Sequence, residues 1–151
     1  RGVVVLVAQG GENYLACFDR TSGKTVWKTD HPFAVCWSTP TLVRRGEREE
    51  LIISGGGTVE AFDAETGRRL WVLPGLKGNT VASPTIAGNT AIIASSERGN
   101  SLAVRLEEQP AERVAWRLDE VTGSFASPLA VAERVYLVNR AGVAFCLDAA
   151  T

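Results

Sequence analysis

The chain has 151 residues, with 16 Lys plus Arg against 17 Asp plus Glu and a formal net charge of -1. That balance gives no basis for a nucleic-acid or acidic-membrane partner, and the 45% hydrophobic content is that of an ordinary folded domain with its own core. No apolar run approaches the roughly 20 residues that a membrane-spanning helix needs.

In chain order, Val3 to Ala8 is a short apolar run that reads as a strand rather than a leader peptide. Phe18-Asp19-Arg20-Thr21-Ser22-Gly23-Lys24-Thr25-Val26-Trp27 then offers a tight turn and a strand closing on an aromatic residue. The connection Lys28–Cys36 carries His31, the only histidine. With no carboxylate or cysteine beside it in sequence, it reads as a surface residue, with catalysis or metal binding as the lesser reading. Thr39-Pro40 introduces the strand Thr41-Leu42-Val43. Arg44-Arg45-Gly46-Glu47-Arg48-Glu49-Glu50 is expected to be a long, solvated hairpin tip, with a partner contact as the alternative. Leu51-Ile52-Ile53 is a second strand. Gly55-Gly56-Gly57 is a turn, because no helix follows to make it a phosphate loop. Thr58 to Phe62 is a third strand.

From there the pattern repeats. Phe62-Asp63-Ala64-Glu65-Thr66-Gly67-Arg68-Arg69-Leu70-Trp71 restates the earlier run, and Trp27, Trp71 and Trp116 recur at intervals of 44 and 45 residues. Thr39-Pro40, Ser83-Pro84 and Ser127-Pro128 keep intervals of 44 and 44. The third and fourth periods supply strands at Thr85-Ile86-Ala87, Ala91 to Ala94, Leu129 to Val131, Val135 to Val138 and Val143 to Leu147, with turns at Glu97 to Asn100 and Arg140 to Gly142. Each period's last strand is expected to end on its tryptophan. Four short strands in a period of this length select an all-β β-propeller of four-stranded antiparallel blades. The count is about three and a half blades: a partial blade at 1–28, blades at 37–72 and 81–117, and a partial blade at 125–151. The expectation is an arc of a seven- or eight-bladed ring within a longer protein.

The recurring residues have physical reasons. Asp at the end of a strand can accept hydrogen bonds from the turn's N–H groups, Gly supplies a positive φ, and Trp can bury a large flat surface between blades. Ala61-Phe62-Asp63-Ala64-Glu65-Thr66-Gly67-Arg68-Arg69-Leu70-Trp71 fits the pattern A-x-D-x-x-T-G-x-x-x-W. It resembles the tryptophan-docking repeat of pyrroloquinoline-quinone-type propellers. The first copy has Cys17 for the alanine and Ser22 for the threonine. The third is degenerate, with Leu106 read at the Asp position, and the fourth begins at Asp148. The docking set is therefore Asp19, Gly23, Trp27, Ala61, Asp63, Thr66, Gly67, Trp71, Trp116 and Asp148, read as fasteners between blades and not as a reactive site.

In such a propeller, the connections Lys28–Cys36, Val72–Thr80 and Arg117–Ser124 border the mouth of the central channel. Trp37, Val81 and Phe125, each three residues before a blade's Pro, are expected near that mouth, with His31 as a further candidate. An aromatic residue there can stack on a planar ligand or a partner's side chain, or it can be a plug of core packing. Cys17, Cys36 and Cys146 are odd in number and lack a CxxC, so they read as buried small hydrophobes, with a disulfide or metal site as the alternative. No catalytic residue and no metal ligand set is recognised.

Two functions follow from the resemblance. One is a non-catalytic scaffold without cofactor, similar to the propellers grouped with the outer-membrane assembly lipoprotein, binding a protein partner or a small ligand at the channel face. The other is part of a dehydrogenase using pyrroloquinoline quinone and calcium, a family whose adjacent cysteines and Asp/Glu/Asn ligand cluster have no counterpart here. Relatives with this repeat imply a place outside the cytoplasm, in the periplasm or at the cell surface. A sensor domain joined to an effector is a third reading.

Overall fold

A computed structural model describes residues 2–8, 11–31, 36–77, 81–107, 112–123 and 125–149. Among these residues fourteen strands run β1 (Gly2–Val7), β2 (Tyr14–Asp19), β3 (Thr25–Asp30), β4 (Thr41–Arg45), β5 (Arg48–Gly55), β6 (Thr58–Asp63), β7 (Arg69–Pro74), β8 (Thr85–Ala87), β9 (Thr90–Ile93), β10 (Ser101–Arg105), β11 (Val114–Leu118), β12 (Leu129–Val131), β13 (Arg134–Val138) and β14 (Ala144–Asp148). They form four antiparallel meanders: β1-β2-β3, β4-β5-β6-β7, β8-β9-β10-β11 and β12-β13-β14. There is no α-helix among the described residues. The chain is an all-β propeller arc, and the strand count of each blade is the one the repeat dictates.

The core lies between blades, in three seams. Blade one meets blade two through Leu15, Leu51, Ile53 and Phe62, with Val4, Leu6 and Trp27 against them. Blade two meets blade three through Ile52, Val59, Ala61 and Trp71 on one side and Ile93, Leu102, Val104 and Leu106 on the other. Blade three meets blade four through Ile92, Ala94 and Ala103 against Val135, Leu137 and Ala149. An inner blade is buried on both faces, which is why Leu51-Ile52-Ile53 is a continuous apolar run: its odd and even side chains serve different seams.

Each blade's third and fourth strands share one irregularity. Cys17 pairs with Trp27, Ala61 with Trp71 and Ala103 with Trp116, and the register slips immediately afterwards in all three. This bulge makes the blades comparable position by position, and with the strand bounds and pairing it leaves three expectations to correct. The fourth strand does not end on its tryptophan but continues to Asp30, Pro74 and Leu118. In the degenerate copy, Ala103 matches Ala61, so Arg105 occupies the Asp position and Leu106 matches Ala64. The backbone agrees: Ala64 N donates to Glu49 O, Leu106 N to Asn89 O and Ala149 N to Glu133 O. Finally, Arg44 to Glu50 is no long loop. β4 and β5 pair out to Arg45 and Arg48, leaving Gly46-Glu47 as a two-residue turn.

Candidate functional site

The sequence points to two kinds of place, the fasteners between blades and the channel mouth. In the second blade's turn, Asp63 Oδ1 accepts the N–H groups of Glu65 and Thr66 at 3.1 and 2.8 Å and the Thr66 hydroxyl at 2.8 Å. Asp63 N donates to Arg68 O, and Gly67 N donates to Asp63 O. The first turn repeats this atom for atom, with Asp19 accepting from Thr21 and Ser22. These donors favour the ionised carboxylate, so Asp63 is held below the usual range chiefly by the Thr66 hydroxyl, and Asp19 by the Ser22 N–H. Asp148 sits at the same place in blade four, with Arg134 at 3.8 Å.

The turn is a socket for the blade before it. Trp27 Nε1 donates to Ala64 O at 3.2 Å, and Thr29 Oγ1 donates to Gly67 O at 2.9 Å. Trp116 Nε1 likewise donates to Ala149 O at 3.2 Å. Each tryptophan thus docks 33 to 37 residues ahead in sequence, onto a turn that its own blade does not contain. Trp71 faces the degenerate socket, and there the chemistry changes. Leu106 O, the acceptor expected for its indole, is taken by Arg45 Nη1 at 2.7 Å and Arg113 Nη1 at 2.8 Å. Arg113 stacks its guanidinium over the Trp71 ring at 4.2 Å, and the buried Trp71 Nε1 makes no hydrogen bond. A cation–π stack and two carbonyl contacts replace the missing Asp–Gly turn.

A second ladder runs along the inner strands. Thr39 N donates to Ser83 Oγ at 2.8 Å, and Ser83 N donates to Ser127 Oγ at 3.0 Å. Thr41 Oγ1 donates to Pro84 O at 2.7 Å and Thr85 Oγ1 to Pro128 O at 2.6 Å. The Ser/Thr-Pro-Thr step therefore stitches blade two to blade three and blade three to blade four, a role its spacing did not disclose. Leu129 stands where the next hydroxyl would be.

This ladder supports the surface that the sequence reads as a channel mouth. The connections leaving β3, β7 and β11 bind the end of the second strand or the turn that follows it. Ser38 Oγ donates to Ser54 O at 2.7 Å, Lys77 N to Asn100 Oδ1 at 2.9 Å and Gly123 N to Ser95 O at 2.8 Å. On that anchored backbone Trp37 is 52% exposed and Phe125 72%, while Val81 between them is half-buried. Of the connections that the sequence singles out, 32–35, 78–80 and 124 lie outside the described residues.

His31 does not belong to that surface. Its side chain is fully covered between blades one and two, tilted against Phe62 with ring centroids 5.5 Å apart and with Nε2 3.8 Å from Glu60 Oε2. Glu60, 1% exposed, accepts from Thr58 Oγ1 at 3.0 Å and from Arg69 Nη1 at 3.4 Å. Burial first, and Arg69 second, push the His31 pKa down to about 4, so the imidazole is neutral at pH 7. The cysteines are all free thiols and differ from one another: Cys17 is buried, Cys36 half-buried, and Cys146 exposed on β14 rather than buried. The charges of the β4–β5 hairpin are mostly used internally, in Arg44–Glu49 and Arg45–Glu50 pairs. Among the described residues no helix is long and apolar enough to cross a membrane.

A family model described as outer membrane protein assembly factor BamB matches residues 1–151. No curated protein sequence gives a significant match. Among solved structures, BamB from Moraxella catarrhalis superposes with a TM-score of 0.72 at 17% identity, over 99% of this chain and 46% of that one. The computationally designed Ika4 protein superposes with a TM-score of 0.70 at 15% identity, over 97% of this chain and 84% of that one. A quinohemoprotein alcohol dehydrogenase from Pseudomonas putida HK5 gives a TM-score of 0.65 at 15% identity, over 99% of this chain and 32% of that one. The chain spans less than half of the Moraxella protein, and likenesses at these identities concern the fold.

Proposed function

We propose, for a chain that belongs to the family of the outer membrane protein assembly factor BamB, that the arc works as a non-catalytic scaffold outside the cytoplasm, presenting its channel face to a protein partner in outer-membrane protein assembly. The observation that carries this reading is the pairing of exposed Trp37 and Phe125 with a rigid base. Two large aromatic side chains stand in water on backbone pinned by the Ser–Pro ladder and the Ser38–Ser54 bond. Rigid, amphipathic aromatic anchors lose little conformational freedom when a partner covers them. The Asp19 and Asp63 carboxylates, by contrast, are committed within their own turns, and the carbonyls of the second turn hold Trp27 and Thr29.

The quinone-dependent alternative finds less support in the residues. The family's adjacent cysteine pair has no counterpart, since Cys17, Cys36 and Cys146 sit on separate blades or connections. Among the described residues no three His, Cys, Asp or Glu side chains converge.

Two measurements on the full-length protein test the reading. Adding pyrroloquinoline quinone with calcium leaves the melting temperature unchanged, whereas a ligand at 100 times its Kd would add about 2.7 kcal/mol. A clear upward shift, with dye-linked alcohol oxidation, would favour the dehydrogenase. Replacing Trp37 and Phe125 together by serine leaves melting nearly unchanged but lowers crosslinking to outer-membrane assembly proteins in intact cells. Undiminished crosslinking overturns the channel-face reading.

A further inference from the structure

The bulge-based alignment of blades isolates one joint as chemically different. The position that pairs with the third residue of each Leu/Ile/Val strand and faces the preceding blade holds Glu60 in blade two, Leu102 in blade three and Phe145 in blade four. The partner strand's position just past the bulge holds Arg69 in blade two and Val114 in blade three. Four residues beyond the tryptophans stand His31, Gly75 and Glu120. Only the seam between blades one and two therefore buries an imidazole against a carboxylate. Burying such groups is costly, and the positions that match Glu60 in blades three and four are filled by Leu102 and Phe145, so the cluster is not explained by the needs of packing at that position.

We propose that His31, Glu60 and Arg69 make the joint between blades one and two an acid-sensitive hinge, which opens on acidification while the other two seams, which bury no imidazole, stay closed. Among the described residues, the charged groups around the imidazole are Glu60 on β6, Arg69 on β7 and the chain neighbour Asp30 ending β3. Phe62 covers one ring face, and the His31 backbone N–H is tied to Asn13 O at 2.9 Å. A proton on this imidazole would place a cation in a covered site that already holds the Arg69 guanidinium against Glu60. Opening the seam instead hydrates the imidazolium.

The sign follows from linkage. The folded pKa, about 4, lies below the ordinary 6.5. An opened joint therefore binds a proton that the closed one refuses throughout the window between those values. Stability of the joint is fully present above 6.5 and is lost as the pH falls toward 4. From pH 7 to pH 5 the opening equilibrium rises by about 20-fold.

In the full-length protein, the ring protons of His31 are assigned by their loss in His31→Phe, and their NMR titration reports that one group. The expected midpoint lies near 4, and a midpoint near 6.5 overturns the proposal. Hydrogen exchange at pH 7 and pH 5, corrected for intrinsic rates, supplies the second readout. Protection of segments 14–31 and 58–71 falls about 20-fold while 101–105, 114–118 and 134–148 hold; a uniform change, or none, overturns it. His31→Phe, an apolar ring of similar size, removes the extra pH dependence at that seam. If the variant keeps it, the hinge is not His31.

Discussion

The backbone of Gly67 lies so close to the indole of Trp27 that a Cβ on it would overlap the ring. Gly67 also has a φ of +71°, so two demands meet at one residue: the turn of blade two needs a left-handed conformation, and the tryptophan of blade one needs the missing side chain. Gly88, at a hairpin tip with a φ of +56°, meets only the first demand, since a Cβ there would find nothing within 4 Å.

Gly88→Ala is accordingly expected to cost about 1 kcal/mol, the penalty of a left-handed alanine. Gly67→Ala should cost about 1–3 kcal/mol more, as for an overpacked contact. A double-mutant cycle with Trp27→Leu checks the cause, because shrinking the indole should recover at least about 1 kcal/mol of the Gly67→Ala loss. Additive losses in chemical denaturation would show that the turn's conformation alone explains the glycine.

The Arg113 clamp carries a second expectation. Arg113→Ala removes the stack on Trp71 and the donor to Leu106 O, for a loss on the order of 2–3 kcal/mol. Lysine should restore less than half, since an ammonium cannot lie flat on the indole while bridging the carbonyls of Arg105 and Leu106. Trp71→Ala should still cost roughly 3–5 kcal/mol as truncation of a buried aromatic. The degenerate copy weakens the socket of Trp71 and leaves Trp116 with a hydrogen bond to Ala149, so the tryptophan to watch for an altered fastening is the earlier one. Denaturation of the three single variants decides the order, and full rescue by lysine would remove the stacking argument.

What the sequence discloses, and what it conceals, divides along one line. Period, strand order, the Asp–Thr–Gly turn and the two half-blades all follow from local chemistry: β-branched runs, glycine at positive φ and an aspartate capping its own turn. Partnership between blades is not local. Nothing in the spacing of Trp27 says that its indole donates to Ala64, or that Thr41 reaches Pro84, because a repeat aligns equivalent residues without saying which neighbour each one faces. The true place of Leu106 is hidden for a related reason: with the Asp and Gly gone, only the bulge at Ala103 restores the register. His31 reads as a surface residue in sequence because its neighbours in space, Glu60 and Arg69, lie about 30 and 40 positions away.

The inner ladder gives a third expectation. Ser83→Ala leaves the Thr39 N–H without its acceptor, and Thr85→Val leaves Pro128 O without its donor. Each should cost about 1 kcal/mol, as for one lost hydrogen bond. The losses should be accompanied by faster exchange of the Thr39 amide in the first variant only. Equal exchange in both would mean that the ladder does not transmit from blade to blade as drawn.

The last expectation concerns the two outer blade faces. On β1, Val4 and Leu6 pack into the first seam while Val3 and Val5 point the other way and are exposed. On β13, Val135 and Leu137 are buried while Tyr136 and Val138 are exposed, joined on β12 by Leu129 and Val131. Each outward face thus carries the apolar alternation of an inner seam without a blade against it, and exposed apolar patches of this kind drive association. β1 and β14 add unpaired edges, since each belongs to a three-stranded sheet. Residues 1–151 made alone should therefore associate rather than behave as a monomer. Two copies would not close neatly, because β12-β13-β14 of one would meet β1-β2-β3 of the other, six strands where a blade has four. Open-ended association is the expected outcome, with an average mass in light scattering that climbs with concentration. Charging the outer face by Tyr136→Lys and Val138→Lys should lower that mass without disturbing the seam below, whose residues point the opposite way. A sharp, concentration-independent monomer with cooperative unfolding would show instead that the three internal seams suffice.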